Sequence, residues 1–136
     1  MTFLTKLIKI SVLFYVGTFA LYANATETSG FLGDATRGKQ VFNRCATCHY
    51  VDKYVNKIGP SLKNLIGRRA GSLEGYKFSP AMVAAGQNGL IWNRKALIAF
   101  LRDPHQKVKG TRMAAIKIKK NQEIEDLIAY LESASH

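Results

Sequence analysis

Four stretches of the 136-residue chain read as helices, and no run alternates apolar and polar positions as a half-buried strand would. After Asp34, a residue suited to capping, Gly38, Val41, Phe42 and Cys45 follow at i, i+3, i+4 and i+7. They therefore share one face, and the helix delivers Cys45 to a buried side. Ser79, with Pro80 in the favoured first helical position, opens a short helix that ends near Gly86. A third runs from about Asn93 to Asp103 with Leu97, Phe100 and Leu101 as its apolar face, and Pro104 stops it. Asn121 opens the last, where Glu123, Glu125 and Asp126 lie near the positive end of the helix dipole. Ile124, Leu127, Ile128 and Leu131 form its apolar stripe, with Tyr130 beside it. Gly59-Pro60, Gly67, Gly71, Gly75 and Gly110 mark turns between these segments. The pattern predicts an all-α protein with long loops and no internal repeat.

The first 25 residues have a different character. Lys6 and Lys9 give a positive start, Ile10 to Tyr22 is uncharged and mostly apolar, and Ala23-Asn24-Ala25 fits a small-x-small cleavage pattern. Residues 1–25 therefore read as a signal peptide cleaved after Ala25. The alternative is an uncleaved membrane tether, because the uncharged run from Ile10 to Thr26 is 17 residues, at the bottom of the range that spans a bilayer. Either reading places the rest of the chain outside the cytoplasm, in a periplasmic setting where disulfide and haem chemistry are both open to it. Residues 26–32 look like a flexible lead-in, and 33–136 form one domain.

Charge narrows the partners. The full chain carries a formal +11, and without residues 1–25 it keeps 18 basic against 9 acidic side chains. Such an excess implies acidic partners or an anionic surface. Nucleic acid is a poor fit for an exported chain that has no nucleic-acid motif and no basic tail. Size adds a further demand: about 110 residues, much of it loop, make a modest core, and domains that small often rely on a metal or cofactor.

The two cysteines both lie in "CATCH", residues 45–49. As a redox dithiol, Cys45 and Cys48 would need a strand leading into a βαβ pattern, but a helix leads in. As a zinc site the pentapeptide offers at most three ligands, and His105 and His136 do not form a second closely spaced pair. A c-type haem site gives the spacing a direct reason. Two thiols form thioethers with the haem vinyl groups, and the next residue places its imidazole under the iron. The third reading fits best, and the other two stay open on these residues alone.

The remaining segments carry a resemblance. GDATRGKQVFNRCATCH, IGPSLKNLIGRRAG, GYKFSPAM, LIWNRKALIAFLRDP, KGTRM and EDLIAYL, spread from about Gly33 to Ser133, resemble the class I cytochromes c of mitochondria and bacteria in order and spacing. The resemblance implies the class I cytochrome c fold, helices around one covalently bound haem c, with first and last helices crossing where Gly38 and Phe42 meet Leu127 and Tyr130. It implies His49 as proximal and Met113 as distal iron ligand. It also implies that the Pro60 carbonyl takes the imidazole proton, and that Arg68, Trp92 and Thr111 hold the haem propionates. Met82, within a helical pattern, reads as core filler.

Several positions depart from the family pattern. Phe78 stands where a tyrosine usually serves a propionate, with Tyr76 a neighbouring source of a hydroxyl; Phe100 stands where a tyrosine often reaches the methionine sulfur. Lys109 replaces a proline, and Ala115 an aromatic residue. The resemblance implies a monomeric one-electron carrier, not an enzyme, passing electrons from a bc1-type complex to a terminal oxidase. It would dock by the haem edge through Arg44, Lys107, Lys109, Arg112, Lys119 and Lys120. A thiol-disulfide oxidoreductase, and a haem peroxidase or ligand sensor with a detachable Met113, are the alternative functions.

Overall fold

The computed structural model describes residues 33–113 and 116–134, and these build five helices without a named strand. The export segment, the lead-in and Ala115 lie outside the described residues. Helix α1 spans Ala35–Phe42, and the Asp34 side chain accepts from the Arg37 backbone N–H, satisfying a donor that the first turn leaves open. Ser79 and Asn93 cap α2 (Pro80–Gln87) and α3 (Arg94–Arg102) in the same way. Asp103 ends α3 and caps α4 (Pro104–Lys107), a single turn the sequence pattern did not predict. The proline that stops one helix is thus the first residue of the next, where its missing N–H costs nothing. Helix α5 spans Asn121–Ala134.

Helices α1 and α5 pack against each other and hold the two ends of the domain together. Ile124, Leu127, Ile128 and Leu131 are almost wholly buried, as the stripe predicts. Phe42 meets Tyr130 with ring centroids 5.3 Å apart. Gly38 sits against α5 so closely that a Cβ there would lie 1.9 Å from the Asp126 carbonyl oxygen and 2.7 Å from the Tyr130 Cβ. The expected crossing is present, with the Asp126 backbone as a nearest neighbour of Gly38.

Asp126 itself is a surprise of the fold. The sequence places it near the positive end of the helix dipole, and the structure adds that the residue is only 3% exposed. Its oxygens accept from Arg37 Nε at 2.8 Å and Nη2 at 2.9 Å, from the Asp34 backbone N–H at 2.8 Å and from Gln122 at 2.8 Å. A bidentate guanidinium and a backbone donor compensate the lost water. Arg37 holds the Asp126 carboxyl well below the usual carboxylate range. Because the folded value lies below the unfolded one, near 4, the contribution to stability is complete above that pH and is lost as pH falls towards the folded value. Asp126→Asn is expected to cost about 2–3 kcal/mol at pH 7, less than a fully buried pair because about half of the Arg37 side chain stays in water. The difference should shrink below about pH 4, where the carboxyl of the unfolded chain is protonated. Denaturant titrations of both proteins at pH 7 and pH 3 measure it.

Candidate functional site

The turn that follows α1 carries the pentapeptide. Cys45 donates its backbone N–H to Phe42, while the N–H groups of Cys48 and His49 both donate to the Cys45 carbonyl at 3.0 Å. These bonds wind the segment tightly enough for Cys45, Cys48 and His49 to line one cavity. Its walls are largely apolar and come from distant parts of the chain, among them Phe42, Leu65, Trp92, Phe100 and Leu127. Met113 lines it too and packs against the core. Met82, read from sequence as core filler, is indeed buried and lies on the wall.

His49 is held by its neighbours. Its Nδ1 donates to the Pro60 carbonyl at 2.7 Å, which fixes the tautomer and leaves Nε2 with its lone pair available. Burial pushes the imidazole pKa below its ordinary value, so the ring is neutral as metal ligation requires. Gly59 is small for a reason the sequence did not reveal: a Cβ there would lie 2.2 Å from His49 Cε1. Gly67, Gly71, Gly75 and Gly110 have positive φ as turn glycines should, whereas Gly59 supplies room.

Of the three residues expected at the propionates, Trp92 and Thr111 are buried and Arg68 is half-buried, and all three line the cavity. Trp92 packs edge-on against Phe100 at 4.9 Å, so it serves the core and the cavity wall at once. The Thr111 hydroxyl accepts from the Met113 backbone N–H at 3.3 Å. Arg68 gives Nη1 to the Lys63 carbonyl at 3.1 Å and Nη2 to the Ser61 carbonyl at 2.9 Å, and burial lowers its pKa. Tyr76, considered as a source of a hydroxyl for the cavity, instead donates to the Ile58 carbonyl at 2.8 Å. Phe78 packs edge-on against that ring at 4.8 Å.

Asn56 was missed in the sequence. Its amide oxygen accepts from the Ser61 N–H at 2.9 Å and its nitrogen donates to the Gly75 carbonyl at 3.1 Å, joining two loops beside the cavity. Arg112, next to Met113, reaches the Lys77 carbonyl across the same side. The six cations expected around the mouth are all exposed. Two of them share an acid: Arg44 pairs with Glu123 at 2.6 Å and Lys120 with the same carboxylate at 3.5 Å.

A deep apolar cavity, a neutral imidazole, a thioether and two thiols on one turn fit a large flat apolar iron cofactor attached through sulfur. Among the described residues no three His, Cys, Asp or Glu side chains gather to hold a metal, and His136 lies outside them. The dithiol reading lacks its strand, since α1 leads into the motif. The cytochrome c family model matches residues 35–135. The chain belongs to the cytochrome c family. It is 43% identical over 100 residues to cytochrome c2 of Agrobacterium tumefaciens, covering 73% of this chain and 90% of that one. With cytochrome c-550 of Nitrobacter winogradskyi it shares 41% identity over 73% of this chain and 89% of the relative. The solved structure of cytochrome cH from Methylobacterium extorquens matches with a TM-score of 0.67 and 39% identity, over 74% of this chain and 99% of that one.

This chain is thus a class I monohaem cytochrome c, an electron carrier with one covalently bound haem c, and not an enzyme. The haem supplies an iron that gains and loses a single electron. The chain supplies an imidazole held by the Pro60 carbonyl and a largely apolar wall.

Proposed function

We propose that Cys45 and Cys48 form the thioethers, that His49 and Met113 are the axial ligands, and that Arg68, Trp92 and Thr111 serve the propionates. The observation that carries this reading is the 2.7 Å bond from His49 Nδ1 to the Pro60 carbonyl in a cavity that Cys45, Cys48 and Met113 also line. A soft thioether favours the ferrous state and occupies the position that a ligand such as oxygen would need. Electron transfer without an open site follows.

The carrier shuttles electrons as a monomer between a bc1-type complex and a terminal oxidase in the periplasm, with residues 1–25 as export signal or tether. Among the described residues no helix is long and apolar enough to cross a membrane. Support for the partner class comes from charge: a formal +11 and exposed cations on the segments around the cavity favour acidic surfaces. Turnover with a purified bacterial terminal oxidase is therefore expected to fall by about tenfold or more between low salt and about 0.3 M salt, chiefly through slower association. A flat salt profile would contradict the docking mode.

A further inference from the structure

Segment 57–60 runs beside the pentapeptide and grips it at three places. The Gly59 N–H donates to the Cys48 carbonyl at 2.9 Å, and the Pro60 carbonyl takes the His49 proton at 2.7 Å. The third grip is made by a side chain: Lys57 Nζ donates to the Ala46 carbonyl at 2.5 Å. The same ammonium group lies 3.9 Å from the centroid of the Tyr50 ring, and Lys53 Nζ lies 4.2 Å from that centroid. Tyr50 directly follows His49.

Lysines ordinarily hold their charge out in water on a flexible stem. Here Lys57 is only partly exposed, spends a donor on a backbone carbonyl inside the attachment turn and shares an aromatic face with a second lysine. Two like charges on one ring repel each other, and the ring quadrupole offsets part of that cost. The arrangement fixes positive charge next to the proximal histidine. Reduction adds an electron to the cavity, and a fixed cation at short range, incompletely screened by water, favours the form with more negative charge.

We propose that Lys57 is a positioning residue for the haem-attachment pentapeptide and, with Lys53 on the same Tyr50 ring, a built-in positive charge that makes the haem easier to reduce. The inference rests on the haem c occupying this cavity with His49 as ligand. It adds a tuning element on the histidine side, whereas the ligand set alone places the control at Met113. Tyr50 is part of the device, because its ring face restrains both ammonium groups.

The test is a redox titration of holo-protein carrying Lys57→Met, which keeps the stem and removes the charge, beside Lys95→Met, which removes an exposed charge from α3. Lys57→Met is expected to make reduction less favourable by about two- to fivefold in equilibrium constant, and Lys95→Met by less than half as much on a logarithmic scale. Lys57→Arg should restore the wild-type value. Equal shifts in the two methionine variants, or an unchanged potential in Lys57→Met, would overturn the proposal. Should Lys57→Met fail to mature with haem, Tyr50→Leu and Tyr50→Phe decide. A lower potential in the leucine variant alone supports the device, and identical potentials in both variants refute it. The ligand assignment is checked separately, by the methionine-sulfur absorption band of the wild-type ferric protein. A failure there is therefore distinct from a failure of the Lys57 role.

Discussion

Met113→Ala is expected to yield a protein that keeps its covalent haem, loses the methionine-sulfur absorption band and binds carbon monoxide in the reduced state. His49 is restrained by Pro60, by the closeness of Gly59 and by the backbone of its own turn, so its position does not depend on Met113. Met113 sits in a loop whose local supports are a backbone bond to the Thr111 hydroxyl and the neighbouring Arg112 strap to Lys77. Removing the thioether leaves the attachment turn and the apolar wall in place but opens one coordination position to an external ligand or water. Reduction should become harder, by on the order of a few tenths of a volt, because axial ligands set haem potentials over a range of about 0.8 V. Spectroscopy with and without carbon monoxide, and a redox titration, read both effects. An unchanged band would remove Met113 from the coordination sphere.

Gly38→Ala is expected to be strongly destabilising through the α1–α5 contact. A Cβ at this position would lie 1.9 Å from the Asp126 carbonyl oxygen, a backbone atom that cannot rotate away. The two helices would have to separate, loosening the Phe42–Tyr130 contact and the Arg37–Asp126 bonds together. Alanine is the better helix former by about 1 kcal/mol, so propensity alone predicts a gain. Steric displacement outweighs it, and the net loss should be about 4 kcal/mol or more, in the range reserved for overpacking and broken buried networks. Denaturant unfolding of the holo-protein gives the number. A variant as stable as the parent would mean that the crossing is looser than described.

The sequence disclosed these elements unevenly, for physical reasons. Capping residues act locally, so Asp34, Ser79 and Asn93 announced the starts of their helices to within a residue or so, whereas α1 ends at Phe42 and Cys45, which the apolar spacing put on that helix, lies in the turn after it. The stripe on α5 was visible because burial of a helix face imposes a fixed spacing. The burial of Asp126 could not be read from the sequence because it depends on Arg37, 89 residues away, and no local pattern encodes that pairing. The roles of Lys57 and Asn56, and the closeness of Gly59 to His49, were not legible for the same reason: each acts on a partner or neighbour from 5 to 19 residues distant, through a side chain or through the absence of one. The candidate site was legible where covalent chemistry dictates order, as in CATCH. Its support was not, because loops are built from individual contacts.

The most direct test of the account is a spectroscopic redox titration of the wild-type holo-protein, followed by carbon monoxide addition to the reduced form. A single one-electron transition, a methionine-sulfur band in the ferric state and no carbon monoxide binding are expected, as a closed His49/Met113 pair requires. A ferric spectrum without that band, together with ready carbon monoxide binding, would contradict it and favour a haem protein that works through an open coordination position.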